Sequence, residues 1–341
     1  MLFTSRNLAP LIFSLACVAA VSLVAWLWGS NYAQQVVTEM MIRLMVVAGL
    51  YIFMGNSGII SFGHVGFMAI GAYGAAWLTC CTLPMMKPMS MPGLPLMLQG
   101  TAYPLWAGIV VSITLSMVVA IVFGAIILRL SSLAASIATF GFLVIINNIY
   151  SNWDSVTTGT SSLANIPVDI GVGTAAFGAC VVILLAFLHQ RSRYGVMLRA
   201  TRDELVASRA SGVPVLRVRL IAFVLSAACI GAAGGFYSSS MGVLSISTFY
   251  ISLTFLTLAM LTVGGASALS GAVLGVLFLT AISEAFRFFE KGISVGGAHL
   301  ILPSGAQEVA LGIVMIVVLV IWPSGLVRGE EVSFRRLLSR R

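Results

Sequence analysis

The chain has 341 residues, 60% hydrophobic and only 8% charged, where soluble domains carry roughly 25% charged residues. Its net charge of +8 comes from 18 Lys and Arg against 10 Asp and Glu; the basic residues are split between one short loop and a tail, so they point to anionic lipid headgroups and not to nucleic acid. No stretch is polar enough for a separate soluble domain, and residues 1–341 read as a single all-α, polytopic membrane-embedded helical bundle.

Ten apolar segments follow in chain order, each near the ~20 residues that cross ~30 Å of hydrocarbon. They lie at about 11–29, 36–54, 59–80, 103–127, 132–150, 174–190, 218–240, 248–264, 270–289 and 303–322. The first exceeds the ~7–15-residue core of a secretion signal and lacks a small-x-small cleavage site, so it reads as a retained helix. With the amino terminus in the cytoplasm, Arg6, Arg129, Arg191, Arg193, Arg199, Arg202, Arg209, Arg217 and Arg219 lie inside. Arg328, Arg335, Arg336, Arg340 and Arg341, in a basic tail over 323–341, join them. Lys87, Lys291 and Arg287 fall toward the outside, and Arg43 lies in or beside the second span. The asymmetry obeys the positive-inside rule and places both termini in the cytoplasm.

Between the second and third spans the chain carries a polar, glycine-punctuated break with a histidine: Gly55, Asn56, Ser57, Gly58, Ser61, Phe62, Gly63, His64 and Phe67. Irregular backbone and ionisable groups survive in a bilayer only where protein or a watery path surrounds them. Counting from Arg43, Gly55 comes after ~18 Å of helix, short of a crossing. Either Arg43 is buried and paired with Glu39 one turn earlier, or the break lies inside the membrane as a discontinuous helix. Ser61 is placed to cap the next helix. Asn56, Ser57, Gly58, Ser61, Phe62, Gly63, His64 and Phe67 are the candidate substrate-path residues. A second reading stands beside this: Gly63, Gly66, Gly71 and Gly74 pack helices closely, and His64 bonds a carbonyl across the bundle.

The remaining segments are shorter. Residues 82–102, with Pro84, Pro88, Pro92 and Pro95, read as an outer surface loop; with no His or Cys cluster, no metal site is expected. Residues 151–173 have the composition of an ordered, turn-rich outer loop. The five cysteines, Cys17, Cys80, Cys81, Cys180 and Cys229, are odd in number and lie in or beside apolar runs, which favours packing. Residues 190–219 form the long cytoplasmic loop, with an amphipathic helix over 194–209 ended by Gly212 and Pro214. Its Asp203 and Glu204, with the small Ala200, Ala207, Ser208 and Ala210, suit docking into a protein groove better than resting on lipid. Gly264, Gly265 and Gly271 make a second break, fit for a hinge, a close helix crossing or a tight hairpin. Glu284 and Arg287 are spaced to pair. There is no G-x-x-x-x-G-K-[ST] phosphate loop, no voltage-sensor helix and no hydrolytic motif, so transport is driven by a partner or runs downhill.

The run Gly55-Asn-Ser-Gly-Ile-Ile-Ser-Phe-Gly-His-Val-Gly-Phe67 with Ile70-Gly-Ala-Tyr73 resembles the signature of branched-chain amino-acid ABC transporter permeases of the LivM type. The resemblance continues in order through Asn152-Trp153-Asp154, Arg202-Asp-Glu204 with Ala207 and Gly212, Gly264-Gly265 with Gly271, and Trp322-Pro-Ser-Gly-Leu326. It implies a non-enzymatic permease subunit of an importer in a bacterial inner membrane. The implied partners are a homologous permease forming a heterodimer, two cytoplasmic ATPase subunits that bind the ATP and Mg, and an external solute-binding protein. It implies no cofactor on this chain. Arg199, Ala200, Arg202, Asp203, Glu204, Ala207 and Gly212 then belong to the ATPase-coupling loop. The chain departs from the family where charges are common: Val144 and Asn147 in the fifth span, and Leu256 in the eighth. Gly159-Thr160 also replaces the usual Gly-Gly after the outer loop's Asn-Trp-Asp. Uptake of branched-chain or other hydrophobic amino acids leads, with urea, short-chain amide or aromatic-acid import as the same-class alternative. A stand-alone channel or secondary transporter is the alternative of another class.

Overall fold

The computed structural model describes residues 5–81, 86–99, 101–290, 293–295, 298–300 and 306–327. Most of the basic tail, Lys291 and the start of the tenth predicted span lie outside these residues. The helices run α1 Ser5–Trp28, α2 Asn31–Leu50, α3 His64–Thr79, α4 Met86–Ser90, α5 Leu96–Gln99, α6 Leu105–Ile127 and α7 Ser132–Ser151. They continue with α8 Asp154–Thr157, α9 Val172–Arg191, α10 Arg193–Asp203, α11 Leu205–Ala210, α12 Val215–Met241, α13 Ile251–Gly264, α14 Leu269–Glu290 and α15 Ala306–Ile321. A two-stranded antiparallel hairpin, β1 Ile293–Val295 and β2 Ala298–Leu300, is the exception to the all-α reading. Every predicted span holds a helix, and among the described residues eight are long and apolar enough to cross a membrane. The two that fall short are α3 and α15, with 16 residues each.

Ser30 caps α2, its hydroxyl accepting from the Ala33 amide at 3.3 Å. From there α2 runs on without a break through a π-helical turn at Tyr51–Gly55, a span of 25 residues. At 1.5 Å per residue that is ~37 Å, a full crossing. Arg43 is therefore an internal residue of the helix, paired with Glu39 as an i,i+4 bridge. Of the two arrangements open from the sequence the first holds: the break follows the end of α2, at the end of the bundle that carries the arginine-rich loop.

The core is α3, buried along nearly its whole length between α12, α6 and α7. Glycine and hydroxyl chemistry bring these helices together. A methyl at Gly71 would overlap the Gly231 carbonyl, and one at Gly234 the Met68 carbonyl. Ser112 Oγ donates to Gly71 O at 2.6 Å, Ser116 Oγ to Phe67 O at 3.2 Å, and Ser226 Oγ to Gly49 O at 2.7 Å. Small residues permit the approach and hydroxyls satisfy carbonyls where no water reaches. The outer faces of α6 and α7 instead present Trp106, Val118, Ile121, Leu133 and Ile137 to the surroundings, as lipid contact requires.

At the opposite end the outer segments are laced down. Leu163 and Leu244 form a β-bridge, Gly93 N donates to Ser155 O, and Trp77 Nε1 donates to Val156 O. This is the ordered, turn-rich loop expected from composition. Cys80 and Cys81 are joined by a disulfide, which corrects the expectation that all five cysteines only pack. Lys87, on α4, is fully buried and donates to Leu78 O and Thr101 O, pinning the proline-rich segment to the ends of α3 and α6. Burial pushes its ammonium down from 10.5 to about 8. Between those values the unfolded chain binds more protons than the folded one, so this group favours the fold increasingly as pH rises across that window. The unfolding midpoint of wild type in detergent, relative to Lys87→Met, is expected to be flat below pH 8 and to move in favour of wild type above it. A flat difference throughout would show that the ammonium is not desolvated.

Candidate functional site

The break after α2 is held by its own polar groups. Asn56 Nδ2 donates to Tyr51 O at 3.2 Å and Ile52 O at 3.1 Å, capping carbonyls freed at the π-helical turn. Gly58 takes a positive φ of 71°, and Ser57 Oγ accepts from the Ile59 amide. Phe62 N donates to Thr139 Oγ1 on α7. Gly63, not Ser61, occupies the cap of α3, and no side chain caps there. Ser61 contributes its carbonyl instead, 2.8 Å from His64 Nδ1. A carbonyl only accepts, so Nδ1 carries a hydrogen, and in the neutral ring Nε2 accepts from Thr257 Oγ1 on α13 at 2.7 Å. His64 thus ties the start of α3 to α13 with both nitrogens engaged. Of the eight path candidates, Asn56, Ser57, Ser61, Gly63, His64 and Phe67 are buried. Gly58 and Phe62 reach the surface, Phe62 stacking edge-on with Phe140 and Phe255.

Two distant segments meet this break. A methyl at Gly55 would lie 2.7 Å from Ala266 O, and Tyr51 OH donates to Ser267 O at 3.5 Å, so the turn between α13 and α14 packs directly against it. In that turn Gly264 and Gly271 are in backbone contact and Gly265 has a φ of 118°, the close helical hairpin that was one of the sequence readings. Residues after α15 close over it: Leu326 N donates to Val263 O at 2.9 Å and Val327 N to Gly264 O at 3.2 Å.

The arginine-rich loop approaches from the other side. The single helix expected over 194–209 is two helices, because Glu204 is extended (φ −150°, ψ 107°) between α10 and α11. Gly212 ends α11 with a φ of 79°, and Val213 N bonds back to Ser208 O. Leu198 and Thr201 face inward. Ala200, Asp203, Glu204, Ala207 and Gly212 are exposed and Arg199 is half-buried. Arg202 is exposed as well, but its Nη1 donates to Gly55 O at 2.7 Å. Sequence reasoning grouped Arg202 with the outward face; a contact across 147 residues leaves no local signal. The same is true of Thr139 and Thr257, which were not singled out.

Four segments that recur along the sequence as motifs therefore converge at one end of the bundle. The sequence profile of the family described as "Branched-chain amino acid transport system / permease component" matches residues 32–319. The chain belongs to this family. Among curated relatives of this permease, the high-affinity branched-chain amino acid transport system permease protein LivM of Salmonella typhimurium is 27% identical over 79% of this chain and 67% of its own length. LivM of Escherichia coli K12 is 25% identical over the same shares. The autoinducer 2 import system permease protein LsrC of Shigella flexneri is 27% identical over 66% of this chain and 65% of its own length. This chain is a multi-pass membrane permease of the same family.

Proposed function

We propose that the chain is one permease subunit of an ATP-driven importer in a bacterial inner membrane, with both termini in the cytoplasm, carrying branched-chain or other hydrophobic amino acids by alternating access. The observation that carries this reading is the exposed face of α10 and α11. Ala200, Asp203, Glu204, Ala207 and Gly212 stand outward on a loop whose Leu198 and Thr201 are anchored in the bundle. Small and acidic residues on a firmly seated helical pair suit insertion into a groove of another protein. The reading gives that groove to a cytoplasmic ATPase, with a homologous permease beside this chain and a solute-binding protein at the far end. Arginines gathered at the loop end, and a disulfide at the opposite end, fit this orientation. The path residues 56–67 then form the inner part of the route, non-helical over 58–63, where the backbone must be re-satisfied by neighbours.

Apolar or uncharged residues at Val144, Asn147 and Leu256 favour a solute with no large net charge, which keeps urea and short amides as the second reading. Leucine and urea uptake into proteoliposomes holding the full complex separates the two. ATP-independent uptake by the chain alone would overturn the importer reading. Glu204→Lys reverses a charge on the docking face, and Gly212→Asp places a carboxylate where nothing lies within 4 Å, at a left-handed φ of 79° that Asp tolerates better than most residues. Each is expected to lower ATPase co-purification at least tenfold, about 1.4 kcal/mol, with membrane insertion retained. Undiminished co-purification in both variants would remove this face as the dock.

A further inference from the structure

We propose that Arg202 is a positioning residue that transmits displacement of the coupling loop to the break after α2. The proposal rests on the importer reading above. Gly55 closes the π-helical turn, so its carbonyl lies at the negative end of a full-length helix. A guanidinium there finds both an acceptor and a favourable dipole. Gly58 lets the chain pass beneath the Arg202 stem: a Cβ at Gly58 would stand 2.9 Å from Arg202 Cγ. On its other side Gly55 is backed by Ala266 O of the α13–α14 turn. Gly55 therefore sits between the loop, which holds its carbonyl, and the second glycine hairpin, which packs on its Cα.

Four other polar side chains of α10, α11 and the residue after them bond locally. The side-chain hydrogen bonds of Arg193, Thr201, Ser208 and Ser211 all stay within residues 193–211. Arg202 instead reaches out of the loop to the break. A partner that shifts α10 and α11 moves this guanidinium, and with it Gly55 and the chain that leaves regular helix three residues on, at Gly58. The sequence Gly58-Ile59-Ile60-Ser61 is then the first part of the path to feel nucleotide in the partner.

The test uses the complex purified through its ATPase subunit, so every molecule counted carries the partner. A thiol introduced by Ile60→Cys, on an exposed residue of the break, is labelled with a maleimide and quantified at the peptide level. Labelling is compared without nucleotide and with ATP plus vanadate. With Arg202 present, nucleotide is expected to change the labelling rate at least about fivefold. In the Arg202→Ala background the change is expected to fall below about twofold. A nucleotide response of equal size with and without Arg202, or none even with Arg202, overturns the proposal and leaves the importer reading standing. Failure of the wild-type chain to form any complex with the ATPase overturns both. If Arg202→Ala does not accumulate, Arg202→Gln carries the same comparison with the same outcomes.

Discussion

Replacing Gly71 with valine is expected to destabilise this permease severely. Gly71 meets the backbone of Gly231 on α12, so the added carbons have no flexible side chain to displace. Relief requires α12 to move away from α3, against which it packs along its length. Overpacking in a well-filled core commonly costs 1–3 kcal/mol, and a backbone-to-backbone overlap belongs at or above the upper end, about 3 kcal/mol. That is a large share of the ~5–15 kcal/mol that holds a typical domain. Gly74, one turn on, supplies the control. A methyl there meets Leu115 Cδ2 at 3.4 Å, an ordinary contact. Gly74→Ala is expected to be neutral or to stabilise by up to about 1 kcal/mol through reduced chain freedom. Size-exclusion profiles in detergent after graded heating would read both; a folded Gly71→Val protein with an unchanged midpoint would refute the packing.

The second large effect is expected at His64. Leucine in its place removes the hydrogen on Nδ1, leaving the Ser61 carbonyl buried without that donor, at about 1–3 kcal/mol. It also cuts the link to Thr257. Thr257 loses less, because its hydroxyl can turn to Leu253 O at 2.8 Å. Thr257→Val alone is therefore expected to cost about 1 kcal/mol. The double variant should cost little more than His64→Leu, since the link is lost only once, giving an interaction of at least about 0.5 kcal/mol. Strict additivity across the cycle would mean that α3 and α13 are not joined through this pair.

The positions of the helices were legible because hydropathy is a local property, and each of the ten apolar runs holds one. The Glu39–Arg43 and Glu284–Arg287 pairs were legible for the same reason, being one helical turn apart. The start of α2 was not. Asn31, Gln34 and Gln35 dilute the apolar run, so the span seemed to begin at residue 36, and counting from Arg43 placed the break too deep. Those polar residues are tolerated because this end of α2 borders an open cavity of about 360 Å³ lined by Gln34, Gln35, Thr38 and Ser240. The candidate site was legible as separate motifs but not as an assembly. Arg202 to Gly55, Tyr51 to Ser267 and His64 to Thr257 span 147, 216 and 193 residues. The kink at Glu204 was likewise hidden, since α10 and α11 together have the pattern of one helix.

The half-buried Glu39–Arg43 pair bears on how this protein is made. Each charge costs roughly 2.5–3.5 kcal/mol at the centre of an inserting helix, and α2 carries two, together with Gln34 and Gln35. Within the finished bundle 78% of its most apolar window is shielded, against 22% for α6. During synthesis α2 leaves the ribosome before α9, α12 and α14, the helices that will cover it, exist. Its transfer from the translocon to lipid by itself is thus disfavoured, and its release is tied to the arrival of later neighbours.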